Sequence, residues 1–71
     1  MAAVTITAPN GAKVRSASQR RFHVVEFFTN GHGLDVAQIF KRSDSLATAR
    51  GHVAKAPHTR RIFDSVEKGF I

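Results

Sequence analysis

Cysteine is absent from this 71-residue chain, so neither a disulfide framework nor a thiolate zinc site can hold the fold together. At this length folding hides only about 60% of the surface that the unfolded chain exposes, so a thin apolar core, or self-association, must carry the structure. The lack of cysteine also points to a reducing, cytoplasmic setting. Long apolar runs are missing too: short pairs such as Val24-Val25 and Phe27-Phe28 are typical, whereas a bilayer span needs about 20 apolar residues. The expectation is a soluble domain with no membrane partner and no secretory leader.

Acids are the next scarcity. Five Asp and Glu stand against eleven Lys and Arg, for a formal charge of +6 and a pI near 11.3. None of the acids precedes Glu26, and the Arg, Ser and Ala of that stretch have the composition of a transit peptide. Pro9-Asn10-Gly11 would break an amphipathic targeting helix, however, and the segment reads better as a hairpin. A pI above about 9 is the electrostatic footprint of a nucleic-acid binder, because counterions leave a polyanion when cations dock on it. A charge of this size also serves simply to keep small proteins apart in solution.

What is present divides into short elements. Val4-Thr5-Ile6-Thr7 and Ala12-Lys13-Val14-Arg15 flank Pro9-Asn10-Gly11, where Asn and Gly both tolerate the positive φ of a tight hairpin turn. Ser16-Ala17-Ser18-Gln19 is a polar connector. Arg20 to Thr29 is dense in β-branched and aromatic residues and is the strongest strand of the chain. Asn30-Gly31-His32-Gly33 turns it toward a returning strand, Val36 to Arg42. Ser43-Asp44-Ser45 then offers three N-cap oxygens to a helix with an apolar stripe at Leu46, Ala49, Val53 and Ala56, stopped by Pro57. Arg60 to Val66 reads as a last strand, and Glu67-Lys68-Gly69 as a turn from which Phe70-Ile71 can fold back.

The predicted fold class is α+β, a small antiparallel sheet on one helix in ββ-ββ-α-β order. It forms a single domain over residues 1–71, with 20–71 as a ββαβ core and 1–19 as a hairpin or a partly mobile arm. One helix covers one sheet face, yet the 20–29 strand is apolar on two: Phe22, Val24 and Phe28 on one side, Val25 and Phe27 on the other. The N-terminal hairpin, a second copy of the chain in a homodimer, or a partner are the three candidates to cover the Val25 and Phe27 face.

The cations cluster. Lys13, Arg15, Arg20 and Arg21 precede every acid, and Lys41-Arg42 and Arg60-Arg61 form further pairs at strand ends. Antiparallel pairing should bring Arg20-Arg21 near Lys41-Arg42. Like charges gathered this way repel, which phosphates would relieve. The segment Arg20-Arg21-Phe22-His23-Val24-Val25-Glu26-Phe27 matches the RNA-recognition pattern at Arg20, Phe22, Val25 and Phe27, but fails at both small positions and the middle aromatic. Nucleic acid, DNA ahead of RNA, is therefore the expected partner, with Lys13, Arg15, Arg20, Arg21, Lys41, Arg42, Arg60 and Arg61 on phosphates. The alternative is a protein-interaction module in which the apolar face carrying Val25 and Phe27, or the free edge of the sheet, docks on an acidic host protein.

Catalysis and metal binding find little support. His23, His32, His52 and His58 lack ligand spacing and read as exposed or nucleic-acid-facing. Ser43-Asp44-Ser45 has no nucleophile elbow, Gly31-His32-Gly33 is too short for a phosphate-cradling loop, and Asp35 has no partner carboxylate. The expectation is no enzyme activity, no catalytic residue, no metal and no cofactor.

Ile39-Phe40-Lys41-Arg42-Ser43-Asp44-Ser45-Leu46-Ala47-Thr48-Ala49-Arg50, followed by Arg61-Ile62-Phe63-Asp64-Ser65-Val66-Glu67-Lys68-Gly69, resembles a strand-helix-hairpin layout common among small basic proteins of actinobacterial phages. The resemblance spans residues 39–69. It implies action in a bacterial cytoplasm, by adhering to host or phage nucleic acid or by blocking a host protein, and it assigns no functional residue.

Overall fold

Gly11 and Gly33 adopt positive φ, 89° and 78°, and around them two hairpins close in the computed structural model of the protein, which describes residues 3–17 and 20–71. The first hairpin joins β1 (Val4–Thr7) to β2 (Lys13–Ser16), and the second joins β3 (Phe22–Thr29) to β4 (Asp35–Ser43). Helix α1 (Leu46–Ala54), β5 (Arg60–Asp64) and β6 (Gly69–Phe70) follow. β1 and β2 form their own two-stranded sheet, and the remaining strands form an antiparallel sheet in the order β4-β3-β5-β6. The expected α+β class and ββ-ββ-α-β order are the observed ones. Of the expected polar connector, Ser18 and Gln19 lie outside the described residues, and Ser16 belongs to β2.

The first turn differs from the expected one. Only Gly11 of the Asn-Gly pair takes positive φ, and the Gly11 amide donates to the Ala8 carbonyl at 2.9 Å. Proline fixes a negative φ at Pro9, so the chain turns over Pro-Asn-Gly, and glycine alone supplies the left-handed step. Asn10 is thereby released for another task. Its Oδ1 accepts from the Ala12 amide and its Nδ2 donates to the Val36 carbonyl, which ties the hairpin tip to β4.

Side chains alternate along β3 and build two clusters on opposite faces of the sheet. Phe22, Val24, Ala49 and Ile62 are buried together, with Phe40, Leu46 and Val53 packed around them, beneath the helix. Ile6, Ala8, Val25 and Phe63 are buried on the other face, with Val4, Val14, Phe27, Ala37 and Ile39 against them. The N-terminal hairpin is therefore the element that covers the second face. Ile6, Val24 and Val25 have no exposed surface, and each such side chain stabilises the fold by about 1.5–3 kcal/mol relative to exposure.

Strand limits are set by side chains that capture backbone groups. β3 begins at Phe22 rather than Arg20, because the Arg21 amide donates to Asp44 instead of joining a ladder. β5 ends at Asp64 rather than Val66: Asp64 Oδ1 accepts from the amides of Val66 and Glu67 and bends the chain into a turn that Lys68 completes with φ of 57°. Ser45 caps α1, its Oγ accepting from the Thr48 amide at 3.2 Å. Ser43, the neighbouring candidate, accepts from the Ser45 amide and holds the cap in place. A bulge at Phe40 sets Lys41 opposite Val24 and Ile39 opposite Val25. No helix among the described residues is long and apolar enough to cross a membrane.

Candidate nucleic-acid interface

The basic residues divide into those that neutralise acids and those that face solvent. Arg20 Nη1 lies 2.9 Å from Asp44 Oδ2, with both side chains exposed. Arg21 grips the buried Asp64 with two parallel bonds, Nε to Oδ1 at 3.0 Å and Nη2 to Oδ2 at 2.9 Å. The guanidinium, with help from the amides of Val66 and Glu67, holds the Asp64 carboxyl below the usual carboxylate range. Arg60 is the most enclosed of the three. Its Nε meets Glu26 Oε2 at 3.0 Å, its Nη1 donates to the His52 carbonyl, and its guanidinium lies 3.7 Å from the centre of the Phe40 ring. Gln38 and Arg60, each donating to Glu26, lower that carboxyl's pKa.

Arg20, Arg21 and Arg60 therefore serve the fold. Each joins segments far apart in the chain: Arg21 and Asp64 are 43 residues apart, Arg60 and Glu26 are 34 apart. No local spacing announces such pairs, so sequence alone assigns these arginines to phosphates. Arg61 is partly occupied as well, with Nη1 donating to the carbonyls of Pro57 at 2.7 Å and Arg60 at 3.1 Å.

The other cations lie differently. Lys13 and Arg15 are exposed on β2 opposite Thr7 and Thr5, while Val14 and Ser16 between and beyond them turn toward the sheet. Arg42 Nε donates to Ser16 Oγ at 2.9 Å, joining the basic pair of β4 to the strand that carries Lys13 and Arg15. Lys41 is exposed beside the bulge on the outermost strand, a position where charge also discourages edge-to-edge pairing. Among the described residues, Lys13, Arg15, Lys41 and Arg42 have no acid within ion-pair distance. Asp44, the acid closest to Arg42 in sequence, is taken by Arg20.

The sheet register tests the expected grouping of the pairs. Arg42 sits opposite His23 and Ser43 opposite Phe22, so the residues that precede β3 do lie at the end of β4. Arg60 and Arg61 pair with Glu26 and Val25 on the other side of β3. At about 3.3 Å per residue they fall roughly 13 to 17 Å along the strand from Arg21, so the three pairs do not share one edge.

His23 corrects the expectation of an exposed imidazole. The register turns it toward the hairpin, where it is fully buried, with Nδ1 3.0 Å from the same Ser16 Oγ that accepts from Arg42. Among the described residues its Nε2 has no hydrogen-bond partner. Burial lowers the His23 pKa, the Arg42 charge lowers it further, and the Arg20 backbone acts in the opposite direction. The net shift favours the neutral ring.

Val25 and Phe27, the residues expected on a protein-docking face, lie against the hairpin, Val25 completely buried and Phe27 half-buried. The remaining candidates for chemistry have structural partners: Asp35 accepts from Thr29 Oγ1, Ser43 and Ser45 organise the helix start, and no three metal-ligating side chains gather among the described residues. No protein family, curated protein or solved structure matches this chain.

Proposed function

We propose that the protein is a non-enzymatic nucleic-acid-binding module that grips phosphates with Lys13, Arg15, Lys41 and Arg42. The observation that carries this reading is the Arg42 to Ser16 hydrogen bond, which joins the cations of the hairpin and of β4 across two sheets with no acid among them. Taking the three ion pairs out of the charge count leaves eight basic side chains and two acids, so the excess is carried by solvent-facing groups able to release counterions from a polyanion. Phosphate contacts of this kind position a protein without reading bases, and duplex DNA is the first probe.

The test compares two pairs of substitutions that remove equal charge. Lys13→Ala with Arg15→Ala strips the hairpin, and Arg50→Gln with Lys55→Gln strips the helix, each leaving the clusters beneath untouched. In fluorescence anisotropy at 0.1 M salt the hairpin variant should bind a labelled duplex about 60-fold more weakly, at ~0.9 decade per lost phosphate contact. The helix variant should bind nearly as the parent does. Equal losses in both would mean that net charge, not this surface, governs binding.

A second reading rests on β4. It is the outermost strand of its sheet, nine residues long, and among the described residues no strand pairs with its far side. An acidic partner protein could add a strand there, steered by Lys41 and Arg42. That complex would survive nuclease treatment and would be lost on substitution of proline within β4.

A further inference from the structure

The helix face of the sheet holds a concavity that takes no part in the proposed phosphate surface. Arg50, Val53 and Ala54 of α1, Arg61 and Ile62 of β5, and Ile71 line a cavity of about 310 Å³. The Ile71 amide donates to the Ile62 carbonyl at 3.0 Å, which fixes Ile71 as one wall. Four of the six lining side chains are apolar, and the two others are exposed guanidiniums from different elements.

Those guanidiniums determine what the cavity suits. Arg61 donates through Nη1 to the carbonyls of Pro57 and Arg60, which orders the group and leaves Nε and Nη2 without an acceptor among the described residues. Arg50 likewise has no acid within ion-pair distance among the described residues. An apolar floor beside two unmatched cations complements a ligand with an apolar body and one anionic head. Its volume of about 310 Å³ stands at the lower end of the roughly 300–1,000 Å³ range of small-molecule sites, so a small ligand fits.

We propose that this cavity binds a small amphiphilic carboxylate, its chain against Val53, Ala54, Ile62 and Ile71 and its carboxylate on Arg61 and Arg50. The 71-residue chain, labelled with ¹⁵N, is titrated with octanoate and, separately, with 1-octanol, which keeps the chain length and lacks the charge. Octanoate should give saturable shifts at the amides of Val53, Ala54, Ile62 and Ile71 and at Arg61 Nε, with 1-octanol about tenfold weaker. Arg61→Gln and Arg50→Gln should each weaken octanoate about fivefold or more and leave 1-octanol unchanged. Lys13→Ala with Arg15→Ala should not alter octanoate binding, which separates this site from the phosphate surface. Equal affinity for acid and alcohol, shifts centred elsewhere, no saturation, or full octanoate affinity in both arginine variants would overturn the assignment.

Discussion

Truncating Ile6 to alanine tests whether the N-terminal hairpin is a working half of the core. Ile6 is fully buried and packs with Ala8, Val25 and Phe63, on the far side of the sheet from the helix. Three carbons are removed, a transfer loss of about 2.4 kcal/mol at ~0.8 kcal/mol for each methylene. The cavity left behind adds to that, but a two-stranded hairpin backed by solvent can settle inward, so the total should be about 3 kcal/mol, in the lower half of the range for isoleucine to alanine. At 0.05–0.15 kcal/mol per residue, the whole domain has a stability of only about 4–11 kcal/mol. The substitution should therefore lower the Tm by about 12–24 °C, at ~4–8 °C per kcal/mol for a domain this small. Urea denaturation followed by circular dichroism measures the free energy, and Thr5→Ala, on the exposed face of the same strand, supplies a control expected within about 0.5 kcal/mol of the parent. If Ile6→Ala is as mild as Thr5→Ala, the hairpin does not seal the sheet. The Val25 and Phe27 face would then be open, and the protein-docking reading would replace the one proposed.

Other consequences can be measured in parallel. His23 has a folded pKa below its unfolded value near 6.5, so the unfolded chain takes up the proton first; stability is complete above about pH 6.5 and declines as pH falls below it. Urea midpoints from pH 7.5 to 5 should show that decline, and His23→Phe should flatten it; an equal slope in both proteins would place the titration elsewhere. Ser45→Ala removes the helix cap and should cost about 1 kcal/mol, read from the same denaturation curves. Arg60→Lys keeps the charge but loses the planar stack on Phe40 and the fork between Glu26 and the His52 carbonyl, and should cost about 1–2 kcal/mol. A loss below about 0.3 kcal/mol would show that a point charge suffices there.

The parts of the fold legible in the sequence were those set by local rules. Both hairpins, a helix cap drawn from Ser43-Asp44-Ser45, the stripe of Leu46, Ala49 and Val53, and the two-sided apolar character of β3 follow from spacing and turn chemistry and are observed. Ser45 is the cap, and the helix ends at Ala54, short of the expected fourth stripe residue Ala56. What could not be read were contacts between remote segments. His23 looks polar in the chain, yet it is buried, packed against Phe63, with Ser16 of the other sheet at its Nδ1. Asp64 reads as one more strand residue, yet with Arg21 and two backbone amides it ends β5. The eight cations expected on phosphates divide for the same reason. Arg20, Arg21 and Arg60 have acids as partners 24 to 43 residues away, Arg61 donates to the carbonyls of Pro57 and Arg60, and Lys13, Arg15, Lys41 and Arg42 have no acid partner among the described residues.

The most direct test of the proposed function is the salt dependence of binding to a duplex. Four phosphate contacts, from Lys13, Arg15, Lys41 and Arg42, predict a slope of log K against log salt of about −3.6, or an affinity loss of about 150-fold between 50 and 200 mM salt. Lys41→Ala should reduce the steepness by about 0.9, because each cation lost releases one counterion fewer. A slope near zero, or one unchanged when Lys13, Arg15 and Lys41 are all replaced by alanine, would contradict phosphate recognition by this surface.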